Sequence, residues 1–166
     1  YPWEGEYKDT SFFDPSCGSG IFLVEAYRRL VCRWMSQNDV HTITCDQLNL
    51  LLKNSIFGVD INEEAIRVAS FSLSLAMCDF LDPRSIWGKL SFPRLLENNL
   101  IASDFFDKDK SFNNKRYDVI IGNPPWQSNI TGKTKEYLKK ANRVIGDKQI
   151  AQAFSIKCSE LCKQNG

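Results

Sequence analysis

One histidine, His41, and no Cys-x-x-Cys pair occur in these 166 residues. Zinc sites need closely spaced thiolates, usually with histidine support, so no metal site is expected. The six cysteines, at 17, 32, 45, 78, 158 and 162, are scattered, and only Cys158 and Cys162 lie one helical turn apart. That is the usage of free thiols in a reducing cytoplasm rather than of a disulfide framework. Long apolar runs are missing as well. The stretch from Phe71 to Cys78 carries serines and falls far short of the ~20 residues that span a bilayer. No basic start leads into an apolar segment, so neither a signal peptide nor a membrane partner is expected. Charge of one sign is also lacking: 21 lysines and arginines face 20 acids, a net charge of +1. A domain that grips nucleic acid unaided is usually more basic. With 43% hydrophobic and 25% charged residues, the composition is that of one globular core, not of a tail, a fibre or a coiled coil.

What is present is an alternation of short apolar runs and longer helical patterns. Ser11-Phe12-Phe13 reads as a strand running into the glycine-rich turn Asp14-Pro15-Ser16-Cys17-Gly18-Ser19-Gly20. A helix is predicted from about Ile21 to Met35, because Leu23, Tyr27, Leu30, Val31 and Trp34 share one face at helical period. A short helix is expected over 46–54, then a buried strand from Ile56 to Asp60. Asn62 suits an N-cap, with Glu63 and Glu64 in the first turn of a helix that continues to about Phe80. Residues 82–98 read as a loop. Strands are expected over 99–103 and 117–122, and a last helix over 147–163, with Gly166 suited to its C′ position. Strands alternating with helices predict an α/β fold, a Rossmann-like, doubly wound and mostly parallel sheet. In such sheets ligands sit beyond the carboxyl ends of the strands.

Three acids close predicted strands. Asp14 opens the glycine turn, where Gly18 and Gly20 allow the backbone to approach a ligand at a helix N-terminus. Asp60 is placed to accept hydrogen bonds from ribose hydroxyls. Asp104, followed by Phe105 and Phe106, sets a carboxylate beside an aromatic wall, suited to the amino edge and ring of an adenine. A phosphate ligand fits poorly, since Asp14 would repel it and attract an ammonium or sulfonium group. Gly132-Lys133-Thr134 resembles the end of a P-loop, but Gln127 stands where its first glycine belongs. The last strand runs into Asn123-Pro124-Pro125-Trp126. Two prolines stiffen this turn and remove competing donors. The Asn123 amide oxygen and the Pro124 carbonyl can then accept both hydrogens of a planar amino group, and Trp126 offers a stacking face. Between 127 and 150 follow Lys133, Lys135, Lys139, Lys140, Arg143 and Lys148, against only Glu136 and Asp147.

The turn from Asp14 to Gly20 with Ile21-Phe22-Leu23, then Phe57-Gly58-Val59-Asp60-Ile61, Asp104-Phe105 and Asn123-Pro124-Pro125-Trp126 resemble the S-adenosylmethionine-dependent N6-adenine DNA methyltransferases. The likeness is to the modification subunits and fused restriction–modification enzymes of prokaryotes, and it runs from about residue 11 to the C-terminus. It implies the class I methyltransferase fold, with S-adenosylmethionine as cofactor. Asp14, Pro15, Cys17, Gly18 and Gly20 would hold the cofactor's methionine part and Asp60 its ribose. Ile61 and Phe105 would pack its adenine, and Asp104 would bind the adenine amino group. Asn123, Pro124, Pro125 and Trp126 would orient an adenine flipped from double-stranded DNA. Residues 1–166 would form one truncated catalytic domain, cytoplasmic, without a target-recognition domain. A specificity subunit or a fused recognition domain would then be a partner. The same turn suits a protein glutamine amide or an RNA base amine, and a catalytically silent cofactor-binding module is the non-enzymatic alternative.

Overall fold

Phe12 and Phe13 are neighbours in sequence, yet they belong to different cores. Alternation along a strand sends successive side chains to opposite faces of the sheet. The computed structural model describes residues 10–83, 90–126, 130–146 and 149–164. In it β1 (Phe12–Asp14) lies in the middle of the sheet, parallel to β2 (Ile56–Asp60) on one side and β4 (Val119–Ile120) on the other. Phe12 pairs with Ile56 and Val119, and Phe13 with Phe57 and Ile120. β3 (Leu100–Ala102) extends the sheet beyond β2, giving the order β3-β2-β1-β4 with every pair parallel. Beside β4, Tyr117 and Cys162 add one more parallel bridge.

One face of the sheet carries Phe12, Ile56 and Leu100 and is covered by α1 (Ile21–Gln37), α2 (Cys45–Ser55) and α3 (Glu63–Cys78). Leu23, Tyr27, Leu30 and Val31 of α1 and Ile66, Ala69, Leu73, Ala76 and Met77 of α3 are all buried, the stripes their spacing predicts. The other face carries Phe13, Phe57, Val59 and Ile101 and packs against α4 (Gly132–Lys140) and α5 (Ile150–Leu161). This second core is mostly aromatic. Phe13 stacks on Tyr117 with ring centroids 4.5 Å apart, and Phe105 meets Phe13, Phe112 and Phe154 within 6.0 Å. The doubly wound parallel α/β fold is therefore the one the alternation predicts.

Element boundaries depart from expectation at the ends. α1 runs on to Gln37 and α3 stops at Cys78, before Phe80. β3 and β4 are shorter than 99–103 and 117–122, and α5 begins at Ile150. The expected Gly166 cap lies outside the described residues. α4 lies in the basic run after the Asn-Pro-Pro-Trp turn, whose charges suit a solvated helix face but set no bounds for it. Only Thr134 and Leu138 of its nine residues are buried, too narrow a stripe to register as periodicity. Its start is fixed locally instead, by Thr131, whose hydroxyl accepts the Thr134 N–H at 3.1 Å. Asn62 caps α3 as expected, accepting from the backbone of Glu64 and Ala65. Among the described residues no helix is long and apolar enough to cross a membrane.

The start of α1 is locked against α3 at Gly20. Its φ is +84°, and a Cβ there would stand 3.0 Å from Ala69 Cβ and 3.2 Å from Ala69 Cα. Gly18 also has positive φ, +52°, but faces open space. Gly20→Ala is therefore expected to cost about 1–3 kcal/mol and Gly18→Ala about 1 kcal/mol. Urea unfolding midpoints of the two variants would check the order.

Candidate functional site

The chain leaves β1 to place β2 and β3 on one side, then returns to place β4 on the other. The crevice beyond the ends of β1 and β4 is the switch point at which such sheets take ligands. Asp14 ends β1 there, and Gly122 follows β4. A Cβ on Gly122 would lie 2.5 Å from Asp14 Oδ1 and 3.2 Å from Pro15 Cδ. Only glycine lets the two strand ends come this close. Ser16 ties them further, its hydroxyl donating to the Asn123 carbonyl at 3.2 Å.

Asp14 is 0% exposed. Its Oδ1 accepts the Ser16 N–H at 2.9 Å, while Oδ2 is buried without a hydrogen-bond partner. Burial pushes its carboxyl far above the ordinary range, to about 7; the Ser16 N–H opposes the shift and the charge of Asp60 adds to it. An orphaned carboxylate oxygen at a ligand crevice asks for a cation.

Asp60, at the end of β2, holds the glycine turn. Its Oδ2 accepts the Gly18 N–H at 2.9 Å and its Oδ1 the Asn62 N–H at 2.9 Å. Each carboxylate oxygen keeps a second lone pair for a hydroxyl. Cys17 is buried beneath the turn, its N–H on the Val59 carbonyl at 3.0 Å. Burial, then the charges of Asp14 and Asp60, push its thiol well above the usual range. It is an inert packing residue that offers a ligand only backbone. Ile61 stands 73% exposed just past the end of β2, an apolar side chain open to solvent.

Asp104 follows β3 by two residues. Its Oδ1 accepts the Phe106 N–H at 2.8 Å and its Oδ2 the Thr131 hydroxyl at 3.3 Å, which joins the turn to the cap of α4. Phe105 departs from expectation. It is 3% exposed and packed within the second core, so its ring supports the turn from below instead of forming an open wall. Asn123 and Trp126 are held to each other: the indole Nε1–H donates to Asn123 Oδ1 at 2.9 Å. Trp126 is 64% exposed, and Pro124 and Pro125 are half-buried. The basic run is mostly a solvated helix face. Lys133 pairs with Asp107 and Glu136 with Lys108, whereas Lys135, Lys139, Lys140 and Arg143 are exposed and Lys148 lies outside the described residues. Two contributors escaped the sequence reading. Ser16 is visible only once β1 and β4 are neighbours. Lys157 betrays itself as a charge on the apolar stripe Ile150, Ala153, Phe154, Leu161.

Because the folded Asp14 carboxyl holds its proton more tightly than the unfolded one, its contribution to stability is lost as pH rises toward 7. In the ligand-free protein Asp14→Asn should raise Tm, with the gap opening between about pH 4 and 7 and staying open above. At about 1.4 kcal/mol per pH unit the gain is at most about 4 kcal/mol. Thermal melts across that range check the sign.

The chain is 27% identical to the adenine-specific methyltransferase PglX of Streptomyces coelicolor, over 95% of this chain and 16% of that protein. It is 25% identical to the type II methyltransferase M.VspI of a Vibrio species, over 95% of this chain and 30% of that one. The chain thus spans less than a third of either relative. A solved structure of a nuclease-deletion mutant of the type ISP restriction–modification enzyme LlaGI, in complex with a DNA substrate mimic, has the same fold. It superposes with a TM-score of 0.57 at 17% identity, over 92% of this chain and 14% of that one. The model of the Eco57I restriction-modification methylase family matches residues 54–166, more than half of the chain and all of the strand ends from Asp60 onward, and the chain belongs to that family.

Proposed function

We propose that this chain is the cofactor-binding and amine-orienting part of an S-adenosylmethionine-dependent N6-adenine DNA methyltransferase of a restriction–modification or related defence system. The observation that carries the proposal is the buried Asp14 carboxyl, whose Oδ1 is pressed against Gly122 at the start of the Asn-Pro-Pro-Trp turn while its Oδ2 is orphaned. It sets a cation-seeking oxygen beside a turn that accepts amine hydrogens. When bound, S-adenosylmethionine supplies an electrophilic methyl on a sulfonium. Asp14 with the Pro15–Gly20 turn would hold the methionine part, Cys17 through its backbone. Asp60 would take the ribose hydroxyls with its spare lone pairs. Asp104 would take the adenine amino group, and exposed Ile61 would cover the ring. Phe105 acts beneath this site, as support for Asp104.

On the substrate side, Asn123 Oδ1 and the Pro124 carbonyl would accept the two hydrogens of the target N6 amine and aim its lone pair. A carboxamide oxygen has two lone pairs, so Asn123 can serve the amine beside the Trp126 indole. Pro125 stiffens the turn and Trp126 stacks on an adenine flipped from double-stranded DNA. Held this way, the amine would present its lone pair to the methyl that the cofactor supplies and would lose its N6 proton to solvent. Positioning, not a strong base, would do this work. The exposed lysines of α4 would meet backbone phosphate without reading sequence. A specificity subunit or a recognition domain would supply the sequence choice. PglX is named adenine-specific, which favours adenine over a glutamine amide or an RNA amine.

The test is methyl transfer by the full-length protein to adenine-containing duplex DNA, with a glutamine-bearing peptide as control. N6-methyladenine should form, and Asn123→Ala should lower kcat by about 100-fold, the scale of a lost positioning contact. Methyl transfer to the peptide alone, or wild-type turnover in the variant, would overturn the proposal.

A further inference from the structure

Lys157 lies on α5 with only 5% of its surface exposed, and none of the ion pairs among the described residues includes it. A lysine rarely sits this deep without a carboxylate partner. Its ammonium instead occupies an aromatic box, 4.6 Å from the Phe105 ring centroid, 5.2 Å from Phe112, 5.7 Å from Phe106 and 5.8 Å from Tyr137. It donates a hydrogen bond to the Phe105 carbonyl. That carbonyl belongs to the peptide unit whose N–H, at Phe106, donates to Asp104 Oδ1 at 2.8 Å. The two hydrogen bonds therefore sit at opposite ends of one planar group. A cation on the oxygen polarises the amide and strengthens its N–H as a donor.

The geometry points to Lys157 as a positioning residue for Asp104, acting through the Phe105–Phe106 peptide unit. The inference rests on the proposed role of Asp104 as acceptor for the cofactor's adenine amine. Fixed by Lys157 from one side and by the Thr131 hydroxyl from the other, the Asp104 carboxylate points one way before any ligand arrives. The charge is maintained against its surroundings. Burial lowers the Lys157 pKa to about 8, and the acids that face it, Asp104 and Asp107 from the turn and Glu160 from α5, pull it back up. Tyr137 of α4 and Cys158 of α5 are held neutral near it, both pushed up chiefly by burial. Lys157 thus meets the Phe105 carbonyl as an ammonium at neutral pH.

A role in packing alone and a role in positioning differ in what they do to ligand choice. S-adenosylhomocysteine carries the adenine amine; S-inosylhomocysteine has a carbonyl oxygen in its place. Calorimetry on the full-length protein gives the ratio of their dissociation constants. The wild type should prefer the adenine ligand by tenfold or more. Lys157→Met should bring the ratio below about threefold while binding of S-inosylhomocysteine stays close to wild type, and Lys157→Arg, which keeps a cationic donor, should retain the preference. If the methionine variant does not fold, Lys157→Gln is read in the same way. A neutral variant that weakens both ligands equally, or an arginine variant that loses the preference, would overturn the inference. Asp104→Ala separates the two levels. If it keeps the preference, the role of Asp104 is wrong; if it abolishes the preference while Lys157→Met keeps it, only the role of Lys157 is wrong.

Discussion

The contact between Asp14 and Gly122 constrains everything around the crevice. A carboxylate at the end of the central strand is fully buried, and the chain after β4 passes so near that no Cβ fits. One of its oxygens is satisfied locally by Ser16 and the other by nothing among the described residues. Leaving such a group unpaired costs stability, and Asp60 raises that cost by repulsion. A fold selected for stability alone would place an asparagine or a small apolar residue here. The arrangement makes sense when a cationic ligand completes it, which links the least comfortable residue of the fold to its use.

The two cores give this strained point its rigidity in different ways. Aliphatic side chains of α1, α2 and α3 fasten the glycine turn from one side, with α1 drawn so tightly to β2 that a Cβ on Gly58 would meet Leu23 Cδ1 at 2.8 Å. On the other side the aromatic cluster supports the turn after β3, and a buried ammonium takes the place of an apolar side chain. A cavity of about 620 Å³ opens between α4, α5 and that turn, lined by Phe106, Tyr137 and Lys157 among others. It lies away from the switch-point crevice, whose ligand groups stand at open strand ends.

Much of this was legible in the sequence because it is written in local codes. A short buried apolar run gives β2, period-3.6 patterns give α1 and α3, and the Asn62 cap gives the start of α3. Acids and the Asn-Pro-Pro-Trp turn at predicted strand ends converge once the strands are parallel, since all their carboxyl ends then point one way. What was not legible depends on three dimensions. α4 has only two inward residues, so neighbours and the Thr131 cap decide it. Phe105 follows an acid at a strand end, which suits a ligand wall as well as a core position, and the aromatic neighbours that claim it are distant in sequence. The bond between Trp126 and Asn123 depends on a turn geometry that two prolines permit but do not announce.

The central claim is that Asp14 waits for the charged methionine part of the cofactor. Calorimetry on the full-length protein, comparing S-adenosylmethionine with methylthioadenosine, which lacks that part, tests it most directly. The account predicts tighter binding of S-adenosylmethionine by the wild type, and an Asp14→Asn variant in which that advantage disappears while methylthioadenosine binds as before. An advantage that survives Asp14→Asn unchanged would contradict it.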